Sequence, residues 1–406
     1  VAITLRQFTE YPPLTLYVHF PWCVKKCPYC DFNSHAVKKE IPERAYLDAL
    51  VIDLEQHAPD IWGRPVEAIF FGGGTPSLIS NEGMDYLMGK IRALTRLQPD
   101  AEITLEANPG TLESGRFAGY RQSGINRLSI GVQSFNNDSL QALGRIHDSG
   151  QAIAACESVR DAGFENFNID LMHGLPGQRA EQAAADVATA IALDPTHISY
   201  YQLTIEPNTL FHARPPTLPV EDDLWAIQDD GQHQLAQAGY MQYEVSAFAR
   251  PDRQCLHNVN YWLFGDYLGI GAGAHSKLTF PAHNAIHRLS KHRHPDRYLD
   301  TSGDDSRIQT RTILEGKDSR LEFMMNALRL CDGFESGLFA SRTGEALHTV
   351  STELDQAESL GLISRTHLKI APTLDGQRHL NSLLELFMPD ADGGVEQAIV
   401  FQPREQ

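Results

Sequence analysis

Long apolar runs are missing from this sequence. No stretch approaches the roughly 20 consecutive apolar residues that a bilayer-spanning helix needs, and the first residues lack the charged and apolar regions of a secretory leader. The expectation is a cytoplasmic chain without a transmembrane segment. Cations are also scarce. Lys and Arg number 34 against 52 Asp and Glu, a formal net charge of -18. A protein that neutralises a phosphate backbone needs the opposite balance, so nucleic acid is not an expected partner. Cysteine is rare as well: six in 406 residues. Three of them (Cys156, Cys255, Cys331) are scattered, which speaks against a disulfide framework and fits a reducing compartment.

The other three cysteines fall within eight residues, Cys23-Val24-Lys25-Lys26-Cys27-Pro28-Tyr29-Cys30. The spacing is C-x3-C-x2-C, with no fourth cysteine nearby. Three thiolates can hold an iron–sulfur cluster and leave one iron open to chemistry, whereas a purely electron-transferring cluster is normally closed by four. Zinc remains an alternative at this point, because His19 or His35 would complete a Cys3His set.

The first two hundred residues alternate short apolar runs with amphipathic stretches. The runs are 16–20, 66–71, 101–107, 127–132, 167–172 and 197–203, each bounded by Gly, Pro, Asn or Asp. Helical patterns such as 43–57, 81–97 and 178–193 lie between them. This alternation predicts an α/β fold with a parallel sheet. A polar or glycine feature stands at or just after the end of every run: the cysteines, Gly72-Gly73-Gly74-Thr75-Pro76, Glu106, Gln133, Asp170 within the fifth run and His173 after it, and Gln202 to Glu206. Functional groups at every strand end predict a barrel-type site, and six units predict an incomplete (β/α)6 barrel open on one side.

The expected domain division is a barrel over 1–280, a linker or long loop over 281–311, a mainly helical winged-helix-like domain over 312–388, and a mobile tail over 389–406. The C-terminal domain is read as helices at 321–331, 352–360 and 374–388 with a small hairpin at 362–371. Arg288, Lys291, His292, Arg293, His294 and Arg297 form a basic island in the expected linker, read as solvated. Gly269-Ile270-Gly271-Ala272-Gly273-Ala274 fits the dinucleotide pattern G-x-G-x-x-A but lacks the acidic residue of a βαβ unit, so it is read as a turn against the barrel mouth.

The cysteine motif after the first strand, with the triglycine after the second, resembles the radical S-adenosylmethionine (SAM) superfamily. In that family SAM binds the open iron of a [4Fe-4S] cluster, and one electron from the cluster cleaves the sulfonium to a deoxyadenosyl radical. Glycines let a small polar ligand approach the backbone, and Tyr29 can lie against an adenine. The segments Leu16 to Cys23, Asn108-Pro109-Gly110, Gly131 to Phe135, Leu143-Gly144-Arg145 and Asp170 to Gly177 further resemble the oxygen-independent coproporphyrinogen III dehydrogenase family. Positions matching Tyr17, Gly73, Gly74, Thr75, Glu106, Gln133, Arg145 and Asp170 contact SAM there. The resemblance assigns them, with Tyr29 and Phe32 of the cysteine loop, to SAM. By itself Asp170 could equally cap a helix, and Arg145 could be a surface ion pair.

Two departures separate the chain from those dehydrogenases. Phe32 stands where they carry a further cysteine, and only 22 residues precede Cys23. Both features are similar to the HemW-type heme chaperones, whose hallmark His-Asn-x-x-Tyr-Trp reads here His257-Asn258-Val259-Asn260-Tyr261-Trp262. The resemblance implies heme as a third cofactor, with His257 as an iron ligand and Tyr261 and Trp262 as flat faces for the macrocycle. It also implies acceptor hemoproteins of a respiratory chain as partners, and a homodimer. Cys255 is a weaker candidate for contact with heme. Two other functions compete. One is oxidative decarboxylation of coproporphyrinogen III, which Phe32 argues against. The other is nucleic-acid binding through the C-terminal domain, which the charge argues against.

Overall fold

The computed structural model describes residues 6–38, 40–110 and 115–388. The expected mobile tail therefore lies outside the described residues. Six parallel strands form where the apolar runs stand: β1 Leu14–Phe20, β2 Pro65–Gly73, β3 Arg96–Ala107, β4 Arg127–Gln133, β5 Phe167–His173 and β6 His197–Gln202. They pair in sequence order, each parallel to the next. Helices α1 Glu43–His57, α2 Asn81–Leu94, α3 Phe117–Ser123, α4 Asn137–Ala142, α5 Ser149–Asp161 and α6 Ala180–Ala192 fill the connections. Ser80 caps α2 by accepting from the Gly83 amide, and Met84, Leu87, Met88 and Ile91 repeat at helical spacing to form its buried stripe. Leu47, Leu50, Val51 and Leu54 do the same for α1, and all enter one core with the strand residues.

The sheet does not close. Beyond β6, after the 17-residue helix α7 Glu221–Gln237, the antiparallel strands β7 Met241–Glu244 and β8 Ala247–Ala249 form one edge. On the other side of β1 come the parallel strand β9 Asp266–Ile270 and then the antiparallel β10 His275–Phe280, β11 Ala285–Lys291 and β12 Ile308–Ile313. The result is a twelve-stranded open barrel. Helix α8 Leu256–Trp262 packs on β1, β2 and β9.

The expected linker at 281–311 is a correction. It contains β11, most of β12, and the short helix α9 Pro295–Asp300. Of the basic island Arg293, His294 and Arg297 are exposed, as expected, whereas Arg288 and Lys291 find remote partners. Lys291 is fully buried, with Nζ 2.6 Å from Asp53 of α1 and 2.6 Å from the Gly269 carbonyl. Arg307 is buried beside the same carboxylate. Arg288 pairs with Glu322 and Tyr267.

A second core gathers α10 Gly316–Ala327, α11 Ser336–Thr343, α12 Ser351–Ser359 and the three-stranded sheet of β13 Phe334–Glu335, β14 Ile363–Arg365 and β15 Lys369–Pro372. The expected hairpin is β14–β15. The helix expected at 374–388 is two pieces, α13 Leu374–Arg378 and α14 Leu380–Glu385, broken at His379, whose ψ is 40°. Helix α11 escaped the sequence reading because only Phe339 and Thr343 of its eight residues are buried, too few to make a stripe. Helix α12, placed as a winged-helix reader would be, carries Glu353, Asp355 and Glu358 and no cation. Among the described residues no helix is long and apolar enough to cross a membrane.

Candidate functional site

The carboxyl ends of the six parallel strands surround an open cleft of about 1110 Å³. Cys23, Cys27 and Cys30 enter it from the loop after β1. Trp22–Cys23 pairs in parallel with His35–Ala36 and pins the ends of this loop, while Lys26 Nζ donates to the Phe32 and Ser34 carbonyls, each at 3.1 Å. The Gly269–Ala274 turn supports the loop from below. Asn33 Nδ2 donates to the Ala272 carbonyl at 2.8 Å, and a Cβ on Gly273 would strike Asn33. The formal dinucleotide pattern is thus a bed for the cysteine loop.

The triglycine is needed here for close approach. Gly73 has φ +113°, and a Cβ there would lie 2.5 Å from the His19 ring; one on Gly74 would lie 2.5 Å from the Trp22 carbonyl oxygen. Gly74 N donates to the Phe20 carbonyl and Thr75 N to that of Trp22, at 2.7 and 2.8 Å, so the turn locks onto the start of the cysteine loop.

Tyr29, Phe32, Gly73, Gly74, Thr75, Glu106, Gln133, Arg145 and Asp170 all line the cleft with the cysteines. Arg145 Nη1 lies 3.6 Å from the Cys27 sulfur, and Nη2 donates to Asn108 Oδ1 at 2.6 Å and to the Gly131 carbonyl at 2.7 Å. Its Nε is buried with no partner. Glu106 accepts from Gly73 N at 3.2 Å; burial first, and the nearby Asp170 second, push its carboxyl up to about 8. Gln133 has φ +71°, a strained conformation at a strand end that aims its amide inward, where Tyr201 donates to it at 2.7 Å. Asn108, Ser129 and Tyr201 belong to the same wall. Asn108 stood in a matched segment; Ser129 and Tyr201 escaped notice because each looks like an ordinary strand residue.

Tyr17 is half-buried next to the cleft: a Cβ on Gly72 would meet its ring and Glu106 Oε2 alike at 3.2 Å, its hydroxyl lies 3.1 Å from His19 Nδ1, and its ring stacks with Phe70 and His257. Neither zinc candidate reaches the thiols. His19 Nε2 is 2.9 Å from the Asn33 carbonyl, and His35 packs edge-on against His294. Among the described residues no group of three or more His, Cys, Asp or Glu side chains converges as ligands of a single metal ion. Three thiols spread around one cleft, which do not converge on a single ion, fit a larger iron–sulfur cluster. Burial pushes the Cys23 thiol up to about 11, so loading metal must release protons.

A radical SAM superfamily profile matches residues 17–189, and a HemN C-terminal domain profile matches 314–379. The chain is 49% identical to the heme chaperone HemW of Escherichia coli over 94% of its own length and 100% of the relative's. It is 48% identical to that of Haemophilus influenzae (94% and 99%) and 32% identical to that of Bacillus subtilis (92% and 98%). The chain belongs to the HemW family. Among solved structures it matches the E. coli coproporphyrinogen III oxidase HemN, a radical SAM enzyme, with TM-score 0.79 and 25% identity over 93% of this chain and 90% of that one. As a radical SAM protein of this family the chain has a [4Fe-4S] cluster and SAM as cofactors, and the unpartnered Arg145 Nε and the open Glu106 carboxyl suit SAM's carboxylate and ammonium.

The family hexapeptide forms helix α8. His257 is 4% exposed, wedged between Tyr17 and Phe70 with ring centroids 6.1 and 5.2 Å away. Burial pushes its imidazole down to about 3, so it is neutral. Tyr261 packs on Tyr267 and Trp262, and Arg329 covers the Trp262 ring at 4.5 Å. Cys255 is 1% exposed. With α8 in this seat His257 and Trp262 fill the barrel interior, His257 Nδ1 and Trp262 Nε1 have no hydrogen-bond partner, and Tyr261 stays half-exposed.

Proposed function

We propose that this chain holds a [4Fe-4S] cluster through Cys23, Cys27 and Cys30 and SAM in the adjoining cleft, and that it works as a heme chaperone supplying acceptor hemoproteins. The observation that carries the reading is the cleft itself: three thiols of one loop beside the half-buried Arg145, Glu106 and Asp170, in a chain that follows a heme chaperone over 94% of its length. Arg145, beside Cys27, takes the methionine carboxylate, and Glu106 takes the ammonium. Asp170 takes the ribose hydroxyls. Thr75, Gln133, Gly73, Gly74, Tyr29 and Phe32 complete the wall. When bound, the cluster supplies the electron for reductive chemistry on SAM.

Glu106 gives this assignment a pH signature. In the empty cleft its carboxyl, raised to about 8, is mostly protonated at pH 7. An ammonium beside it favours the carboxylate, so binding releases a proton, and affinity rises with pH until it levels above about 8. Titration calorimetry in buffers of different ionisation enthalpy reads this directly. Heats that do not depend on the buffer would remove Glu106 from the ammonium site, and Glu106→Gln should abolish the dependence.

The chaperone reading is tested by anaerobic hemin titration of the cluster-loaded protein and of His257→Ala. We expect a saturable, stoichiometric change in the heme spectrum that survives the substitution, because the imidazole is sealed in the barrel. Absence of saturable binding in the unsubstituted protein would end the reading, and formation of protoporphyrinogen from coproporphyrinogen III would install the dehydrogenase in its place. Loss of binding in His257→Ala alone would mean that α8 unseats to admit heme.

A further inference from the structure

Beneath Asp170 lies a chain of buried polar groups whose directions can all be assigned. The Ser199 amide donates to Asn168 Oδ1 at 3.0 Å, which fixes the orientation of the Asn168 amide. Asn168 Nδ2 therefore faces Asp170 Oδ1 at 2.7 Å and Ser129 Oγ at 2.8 Å, spending both its protons. Ser129 in turn donates to Asp170 Oδ2 at 3.3 Å. On the far side, His197 Nδ1 is 2.7 Å from the same Asn168 Oδ1 and must carry the proton. Fully buried, the imidazole is neutral, so its Nε2 accepts from the Tyr243 hydroxyl at 2.9 Å. Asn168 keeps no donor unspent and has no second orientation. Such a network fixes geometry more firmly than its single bonds would.

We propose that Asn168 and His197 are positioning residues for Asp170: His197 orients the Asn168 amide, and the amide aims the Asp170 carboxylate at the ribose hydroxyls of SAM. The inference rests on the SAM reading above and deepens it. Neither residue lines the cleft, so neither touches the ligand. A merely structural role would affect all ligands alike. A positioning role sets the preference for the hydroxyl-bearing ribose.

The experiment is equilibrium dialysis of the anaerobically cluster-loaded full chain against SAM and against an analogue lacking the ribose 2′-hydroxyl. Asn168→Leu and His197→Leu are expected to weaken SAM about tenfold while changing the analogue little, so that the preference collapses. His197→Asn places an amide N–H where Nδ1–H stands and should keep the preference. His197→Gln, which reproduces the other ring nitrogen, should lose it. Should the leucine variants load iron poorly, the Asn and Gln pair decides. Equal behaviour of that pair, or an unchanged preference in iron-loaded Asn168→Leu, overturns the proposal while Asp170→Asn still reports on the SAM site. Failure of the unsubstituted protein to bind SAM overturns both.

Discussion

Arg145→Met should cost SAM binding at least ~2 kcal/mol, about 30-fold in affinity, without emptying the cluster site. The arginine is half-buried and positioned by three partners at once: the Cys27 sulfur, Asn108 and the Gly131 carbonyl. Its remaining Nε faces no protein acceptor. A ligand anion in the cleft would complete the one guanidinium nitrogen that is buried without an acceptor. Methionine matches the length of the side chain and removes the charge. Arg145→Lys should fail almost as badly, since an ammonium cannot hold Asn108 and a carboxylate in one plane. Titration calorimetry together with iron analysis checks the point. Unchanged SAM affinity at full iron content would show that the arginine serves the cysteine loop alone.

The second large effect lies far from the cleft. Asp53→Ala should destabilise the fold by about 3–5 kcal/mol, because it strands a buried lysine beside a buried arginine. Asp53 is itself fully buried on α1. It receives Lys291 Nζ and the Tyr298 hydroxyl at 2.6 Å and the Gly271 amide at 3.1 Å, with Arg307 at 3.9 Å. Gly271 belongs to the turn on which the cysteine loop rests, so iron retention should fall together with stability. Asp53→Asn keeps an acceptor and should show a smaller loss. Chemical denaturation followed by tryptophan fluorescence measures both variants, and a loss below ~1 kcal/mol for Asp53→Ala would show that the cations find other partners.

The parts of the fold that were legible in the sequence are those whose signal is local. The six strands could be read because each is a short apolar run closed by a turn residue, and α1 because its buried residues recur at helical spacing. Glu106, Gln133 and the triglycine could be read because they stand at the end of such runs, whereas Arg145, in the loop beyond α4, came from the family resemblance. The segment 281–311 could not be read this way. Lys291 and Arg288 look like solvent-facing charges until Asp53 and Glu322 arrive from elsewhere in the chain. The direction of the His257 ring was not legible either: a pattern that names a motif says nothing of which way a ring points, and packing turns this one inward against Tyr17 and Phe70. His197 and Asn168 carried no signal at all, since a lone histidine and a lone asparagine in apolar strands acquire meaning only through partners on β4, β5 and β7.

The plug formed by α8 bears on the order in which ligands come and go. Its first amide is held by Glu102 at 2.8 Å, and its far end is clamped by the C-terminal domain through Arg329 over Trp262 and Phe323 against Phe264. With α8 held in its seat, the cleft is walled on one side by the cysteine loop, which also borders a second hollow with Gly144, Asn208 and Leu210. A broad ligand resting over that loop would lie across SAM's path to solvent, so the residence time of the outer ligand would slow the exchange of the inner one.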